Sequence, residues 1–339
     1  MEPIQVGVIG SGYWGPNLIR NFYEMPQADL KMVCDLSQER LDFIRGRYPG
    51  LYTSRDYCEM LRSDIEAVVI ATPVSTHYRI AMDCLQAGKH VLCEKPLCET
   101  SPKAQELAQI AHERNLILMV GNVFLFNAGI VKLKEMLESG ELGKLNYMSA
   151  VRTSLGPIRR DVNAAYDLAT HDITIFNWLM NSEPEVISAT GGSFLQPGVE
   201  DVVFASLRYP GNVLANIHAS WLNPKKVRQI TLIGTQKMMT WDDLEMNSPI
   251  AIYDKGVNTT QESGDYGEFL RIAMWDGDVR LPKVQAEEPL KAQGRYFLEA
   301  IKNGRLGRSD GTFSVGVVRV LEAITASLKL GGAQVKVTA

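Results

Sequence analysis

The sequence lacks several features, and each absence narrows what it can be. No apolar run approaches the roughly 20 residues of a membrane-spanning helix; the longest, Ala67–Ala71 and Leu116–Val120, are only strand-length. Basic charge is not in excess: 35 Lys and Arg stand against 39 Asp and Glu, a net charge of -4 with no basic stripe. That sets aside a nucleic-acid-binding surface. Cysteines number five, an odd count. They fall inside or beside predicted strands and helices, as expected of reduced thiols in a cytoplasm rather than of a disulfide framework. Cys93 and Cys98 have neither metal-ligand spacing nor clustered histidines, so no metal is expected. Met1–Gly10 has no basic stretch or small-residue cleavage site and reads as a first strand, not a signal peptide. Internal repeats and low-complexity segments are also missing. What remains is an ordinary globular composition, 45% hydrophobic and 22% charged, over 339 residues. That length exceeds what one hydrophobic core usually supports, so two domains are expected.

Two textures divide the chain. Up to residue 121, short apolar runs (Ile4–Ile9, Leu30–Cys34, Ala67–Ala71, His90–Cys93, Leu116–Val120) alternate with stretches of helical spacing (Trp14–Glu24, Gln38–Arg47, Thr76–Ala87, Pro102–Arg114). Near-continuous apolar strands alternating with helices predict a parallel sheet covered on both faces. Beyond residue 121, the helices Ile130–Glu138 and Ala164–Met180 flank a strand, Leu145–Thr153. A succession of strands follows at Val186–Phe194, Val202–Tyr209, Val213–Trp221, Val227–Ile233 and Met238–Trp241. Two helices, about Leu290–Asn303 and Thr312–Leu330, close the chain. The expectation is an α/β protein: a Rossmann dinucleotide-binding domain over 1–121, then an α+β domain over 122–339 with a large, mostly antiparallel open sheet.

Gly10-Ser11-Gly12-Tyr13-Trp14-Gly15 is a G-x-G-x-x-G that follows a predicted strand and opens a helix, the context that gives the pattern meaning. The first glycine permits the tight turn, the second lets backbone approach a pyrophosphate, and the third lets helix and strand pack closely. The helix N-terminus offers free N–H groups to phosphates. Tyr13 and Trp14, inside the fingerprint, are counted with the cofactor residues. Asp35, about 20 residues on at the end of the second strand, can accept from the ribose hydroxyls. A 2′-phosphate would meet that carboxylate, so NAD is expected over NADP. Asp35 also suits a cap for the helix beginning near Gln38; Arg40 could turn toward a 2′-phosphate, but a place on that helix's solvated face is the favoured reading.

Downstream lie Ala71-Thr72-Pro73, His77 and Glu94-Lys95-Pro96. This set, in this order after the fingerprint, resembles the Gfo/Idh/MocA oxidoreductase family across essentially the whole chain. Gly12-Tyr13-Trp14-Gly15-Pro16-Asn17, the stretch from Ser220-Trp221-Leu222 through Lys226 and Arg228 to Gly234, and Glu288-Pro289-Leu290 resemble a subgroup associated with sugar-nucleotide metabolism. The resemblance implies that Thr72 and Pro73 lie along the dinucleotide, that Glu94 and Lys95 reach the nicotinamide ribose, and that Asn122 lies near the nicotinamide. It further implies homo-oligomers, a dimer or tetramer, formed through the sheet of the second domain. His77, near a helix start, reads as structural or cofactor-adjacent rather than as a base.

Asp167 and His171 stand four residues apart, on one face if their segment is an α-helix, and resemble the family's Asp-x-x-x-His. Asp172 would point about 100° away on such a helix, which favours Asp167. Oxidation of a secondary alcohol needs a group to take the hydroxyl proton, and an imidazole suits that at neutral pH. Lys95 can hydrogen-bond the same oxygen or, with its pKa lowered by burial, serve as the base itself. Asp167 would orient substrate or imidazole. Arg159 and Arg160 suit a diphosphate, with Lys226 and Arg228 as second candidates; Asn163, Tyr166 and Tyr13 suit sugar hydroxyls. A solvated surface role fits each of these substrate candidates equally well.

The expected function is an NAD-dependent dehydrogenase that oxidises a ring hydroxyl, at C3 of a UDP-N-acetylhexosamine-type sugar, to a ketone. Alternatives are ketosugar reduction at the same site, an NAD-assisted glycoside hydrolase, a dinucleotide sensor, and a reductase of imines or biliverdin-like pigments. Lys95 with His171 argues against the sensor.

Overall fold

The computed structural model describes residues 2–264 and 267–338, with side chains for all of these except 258–273. It opens with strands β1 (Ile4–Ile9), β2 (Ala28–Cys34), β3 (Tyr52–Ser54), β4 (Ala67–Ile70), β5 (His90–Cys93) and β6 (Leu118–Val120). Helices α1 (Gly15–Glu24), α2 (Gln38–Arg47), α3 (Cys58–Leu61), α4 (Val74–Gln86) and α5 (Ser101–Glu113) alternate with them. Next come α6 (Ala128–Glu138), β7 (Leu145–Leu155), a π turn at Ala165–Ala169 and α7 (Thr170–Met180). Strands β8 (Val186–Gly192), β9 (Val202–Tyr209), β10 (Val213–Ser220), β11 (Leu222–Gly234), β12 (Met238–Asp242), β13 (Ile250–Gly264) and β14 (Gly267–Arg280) follow. The chain ends in α8 (Pro289–Asn303), α9 (Gly311–Lys329) and β15 (Val335–Lys336).

Two compact units result, one of residues 1–126 with 287–322, the other of residues 127–286 with 323–339. This corrects the expected division into 1–121 and 122–339: the boundary falls after Phe126, and a late segment belongs to the first unit. The reason is a set of specific bonds. Val120 N–H donates to the Ser309 carbonyl, and Ser309 Oγ returns a bond to the Val120 carbonyl. Arg308 donates to the Leu125 carbonyl and lies over the rings of Phe126 and Tyr296. Gly294 of α8 leaves room for Met25 and Phe22 beside it.

The first unit is a six-stranded parallel sheet in the order β3-β2-β1-β4-β5-β6. β4 is buried at every position and β5 at all but its first, as the unbroken apolar runs predicted. The order reverses between β1 and β4, and in such sheets ligands bind beyond the carboxyl ends of the strands at that switch point. Long as it is, apolar α9 buries Val315, Val318, Leu321 and Ile324 completely or nearly so, so it is a core helix.

The second unit is built on a nine-stranded sheet in the order β14-β13-β12-β11-β7-β10-β9-β8-β15. It is antiparallel except where β10 runs parallel to β7. In β9, Val203, Ala205, Leu207 and Tyr209 are buried while Phe204, Ser206 and Arg208 are exposed, the period of two that a half-buried strand requires. Tyr209 donates its hydroxyl to Asn177 of α7, and Gly129 of α6 admits the Trp241 indole. Those helices therefore cover the inward-facing residues. Tyr147, Phe204 and Leu214 on the outward positions remain close to half exposed, at 46, 46 and 47%.

Candidate active site

In the first unit the carboxyl ends of the strands hold the fingerprint. Gly10 N–H donates to the Cys34 carbonyl, Ala71 N–H to Ile9, Glu94 N–H to Ile70 and Gly121 N–H to Cys93. The four loops that follow β1, β4, β5 and β6 are thereby set side by side. Gly10 has φ +99°, and a Cβ there would lie 2.5 Å from the Ala71 carbonyl oxygen. A Cβ on Gly15 would lie 2.3 Å from the Gly10 carbonyl oxygen, so the α1 N-terminus packs directly on the loop. Gly12 faces open space apart from the Arg40 guanidinium at 3.5 Å. The two crowded glycines and the open one fit a pyrophosphate laid along this loop.

Asp35 is more heavily used than the sequence suggested. Its Oδ2 accepts from Ser11 N–H at 2.7 Å and from Ser11 Oγ at 3.1 Å; its Oδ1 accepts from Ser37 N–H at 2.8 Å. With about four lone-pair sites on a carboxylate, Asp35 has room for one ribose hydroxyl rather than both. Arg40, 55% exposed, turns back toward the fingerprint loop, its Nη1 3.7 Å from Asp35 Oδ2.

Glu94, at the end of β5, is enclosed by Trp14, Lys95 and Gly121. A Cβ on Gly121 would lie 2.8 Å from its Oε1, and the Lys95 N–H donates to its Oε2 at 3.3 Å. Burial lifts its carboxyl to about 7, against the opposing pull of the Lys95 charge and of hydrogen bonds from Lys95 and Trp14. Trp14 and Glu94 thus join the fingerprint loop to the Glu-Lys-Pro loop. Tyr13, beside Trp14, is 88% exposed and is not held by the fold.

His77 lies between the loops that follow β4 and β5. It is buried, and its ring nitrogens lie 2.9 Å from the Pro96 carbonyl and 2.8 Å from the Thr72 carbonyl. Its imidazole ties the Thr72-Pro73 loop to the Glu-Lys-Pro loop rather than presenting an edge to a ligand. Thr72 Oγ1 accepts from Thr76, and Pro73 caps α4. Asn122 is likewise buried, donating its amide to Ser309 and Ser314. These bonds hold the end of β6 against the returning segment.

The second unit holds Asp167 and His171. Their segment is not a regular α-helix: the Ala165–Ala169 π turn contains Asp167, and His171 lies in the first turn of α7. π turns inside helices are frequent at functional sites. The ideal 100° step used to separate Asp167 from Asp172 does not apply across the turn, yet the partners separate them clearly. Asp172 is buried and bound bidentately by buried Arg152 of β7, the shortest bond 2.8 Å. Removing one member of such a pair typically costs about 3–5 kcal/mol, so this pair holds α7 to the sheet. Asp167 keeps 18% of its side chain exposed, accepting from Trp221 Nε1 at 3.0 Å and from Arg159 Nη1 at 3.4 Å.

Trp221, within the Ser220-Trp221-Leu222 motif, is a fully buried side chain. Its contact with Asp167 joins positions 54 apart in sequence, which no local pattern signals. The substrate candidates divide. Arg159 is paired with Asp161 and Asp167, Arg228 with Asp243, and Arg160 and Lys226 are exposed. Asn163 donates its amide to Glu200 and accepts from Tyr166 N–H, bonds that shape the entry to the π turn. Tyr166 is half-buried. His90 accepts from the Ile117 N–H, and His218 stacks on Phe204 at 4.4 Å. Among the described residues, no group of three or more His, Cys, Asp or Glu side chains is arranged to hold a metal.

Residues 4–122 match the description "Oxidoreductase family, NAD-binding Rossmann fold", and residues 130–240 match the "GFO/IDH/MocA C-terminal domain". The chain belongs to the Gfo/Idh/MocA oxidoreductase family. Its relatives include the UDP-N-acetylglucosamine 3-dehydrogenase of Acidithiobacillus ferrooxidans, 27% identical over 265 residues, 76% of this chain and 80% of that protein. Inositol 2-dehydrogenase 2 of Paenarthrobacter aurescens is 30% identical over 227 residues, 63% of this chain and 68% of that one. Among the relatives matched first, the alignments cover 59–80% of the relatives' own lengths. Two solved structures share the fold. GenD2 from gentamicin A biosynthesis, in complex with NAD, has TM-score 0.84 at 23% identity over 100% of this chain and 97% of that one. The A. ferrooxidans UDP-N-acetylglucosamine 3-dehydrogenase has TM-score 0.82 at 22% identity over 98 and 99%. This Gfo/Idh/MocA chain is therefore an NAD-binding oxidoreductase, and the glycine cradle is where its own residues fit the dinucleotide.

Proposed function

We propose that the enzyme oxidises a ring hydroxyl of a sugar nucleotide, at C3 of a UDP-N-acetylhexosamine-type sugar, to a ketone. The observation that carries this reading is Asp167 in its π turn, held on both oxygens by Trp221 and Arg159 and four residues before His171. A carboxylate fixed in this way suits the orienting of substrate or imidazole. NAD, when bound, supplies the hydride acceptor. His171 takes the hydroxyl proton, and Lys95 donates a hydrogen bond to the same oxygen as negative charge develops on it. Arg160 and Lys226, both exposed, are the remaining candidates for the diphosphate. Two relatives are named as dehydrogenases, one of a UDP-amino sugar and one of inositol, which supports a polyol or sugar hydroxyl as the reacting group. The half-exposed outward residues Tyr147, Phe204 and Leu214 support a homo-oligomer formed through the second unit's sheet. The five free cysteines, four of them buried, support a cytoplasmic setting.

The test is the appearance of reduced nicotinamide when the purified chain and NAD⁺ meet a panel of UDP-sugars, free sugars and inositols. Turnover confined to UDP-sugars is expected. In the same assay His171→Ala retains NAD⁺ binding and loses roughly 10²–10⁴-fold in turnover. Turnover of inositols alone would replace the sugar-nucleotide reading, and wild-type turnover by His171→Ala would remove His171 as the base.

A further inference from the structure

We propose that Asp201 is a positioning residue: it closes the loop between β8 and β9, and that loop sets where Asp167 stands. The proposal rests on the reading of Asp167 as the carboxylate that orients substrate or imidazole, and it concerns the second unit alone. Asp201 is wholly buried, at the point where the loop enters β9. Its N–H donates to the Gly192 carbonyl at the end of β8, and its Oδ2 accepts from the N–H groups of Phe194 and Leu195 at 2.6 and 2.8 Å. Bonds from backbone N–H to a carboxylate are charge-assisted and roughly twice as strong as neutral ones. Asp201 Oδ1 is also buried and has no hydrogen-bond partner among the described residues. A carboxylate oxygen left unmatched out of water costs stability, so the fold alone does not account for an acid at this place.

The loop so closed reaches Trp221 and Arg159, the donors to Asp167. The Asp201 carbonyl accepts from the Trp221 backbone N–H at 3.0 Å, and the Trp221 indole donates to Asp167 Oδ2. Gln196, in the same loop, donates its amide to the Arg159 carbonyl at 2.9 Å, and Arg159 donates to Asp167 Oδ1. Glu200 adds a third connection. Its carbonyl accepts from Ala164 N–H at 2.9 Å and its carboxylate from the Asn163 amide at 2.7 Å, both at the entry to the π turn. The loop's own large side chains do not anchor it: Phe194 and Leu195 are 73 and 47% exposed. Its place therefore depends on the Asp201 carboxylate and on these bonds. A misplacement of about 1 Å in a group that orients reactants can cost on the order of a hundredfold in rate. Loosening the loop is thus expected to reach the chemistry through Asp167.

The experiment reads the Trp221–Asp167 bond directly. The five tryptophans of the full-length chain give separate indole N–H resonances after ¹⁵N labelling, and Trp221→Phe identifies the one bonded to Asp167. Asp201→Ala is expected to move that resonance, and Asp201→Asn, which keeps the carbonyl acceptor, to leave it near its wild-type position. Turnover of the sugar nucleotide is measured on the same samples, normalised to NAD⁺ bound per chain. Asp201→Ala is expected to lower kcat at least about tenfold and Asp201→Asn less than about threefold. In an Asp167→Ala background the cost of Asp201→Ala should shrink to less than about threefold, because a residue that acts through another adds little once the other is gone. Gln196→Ala, which removes the Arg159 link alone, supplies the same cycle if Asp201→Ala does not fold. The proposal is overturned by an unmoved Trp221 resonance in Asp201→Ala, or by a loss of turnover as large without Asp167 as with it. A wild-type chain that turned over no sugar nucleotide would remove the proposed substrate, while the indole resonance would still decide the link from Asp201 to Asp167.

Discussion

Glu94 shows how one residue can serve a site at the expense of stability. Its carboxyl rises from the usual 4.5 to about 7 because burial disfavours the charged form more than Lys95 and Trp14 favour it. The folded chain therefore holds this proton more tightly than the unfolded chain does. By linkage, the contribution of Glu94 is most favourable below the unfolded value and is lost as pH rises through the window from 4.5 to about 7. Glu94→Gln removes the titration. The melting temperature of the wild type should fall relative to Glu94→Gln between pH 5 and pH 8, with the variant the more stable at the upper end. Parallel melting curves across that range would show that the carboxyl is not held out of water. The thiols are governed by the same physics without the functional cost: burial lifts Cys34 and Cys98 to about 12 and pushes Cys93 well above its usual value, which keeps them protonated and unreactive.

At the scale of elements, the fingerprint loop is the part whose geometry is least forgiving. Gly15→Ala would place a Cβ 2.3 Å from the Gly10 carbonyl oxygen, and backbone on both sides leaves α1 only the option of lifting away from the loop. NAD⁺ affinity should drop by at least about tenfold, ~1.4 kcal/mol, read by titration with NAD⁺. An unchanged affinity would mean that the α1 N-terminus does not contact the dinucleotide.

This loop was legible in the sequence because its constraint is local: strand, glycines and helix follow one another within a dozen positions. So were the parallel strands, whose apolar runs report burial on both faces, and β9 and β10, whose alternation reports burial on one. Other elements left weaker marks. β3 has three residues, too few for a period. β13 and β14 pair with each other far beyond the end of β12, and stretches such as Asn258–Gly264 carry too few apolar residues to signal a strand. The π turn was invisible because Asp167 and His171 keep the same spacing in sequence whether the turn is α or π. The return of residues 287–322 to the first unit depends on Ser309 and Asn122, 187 positions apart, and only tertiary structure shows such a pairing. The partners of Arg40, His77 and Asn163 were hidden for the same reason: chain order does not reveal them.

At the scale of the whole molecule, the division of labour follows the two units. The first presents a dinucleotide cradle at the switch point of a parallel sheet. The second presents Asp167 and His171 on one side of its architecture and a broad sheet face on the other. Tyr147, Phe204 and Leu214 on that face form the apolar part of the surface assigned to self-association, and sedimentation velocity should find a dimer or tetramer. A monomer at micromolar concentration would contradict that assignment.

The central claim is that the enzyme removes hydride from a ring carbon of a sugar nucleotide, and isotope transfer tests it most directly. UDP-N-acetylglucosamine carrying deuterium at C3 would be incubated with the enzyme and NAD⁺, and both products examined by mass spectrometry. The account predicts one deuterium in the reduced cofactor and none at C3 of the resulting ketosugar. Deuterium retained on the sugar, with the cofactor unlabelled, would contradict it.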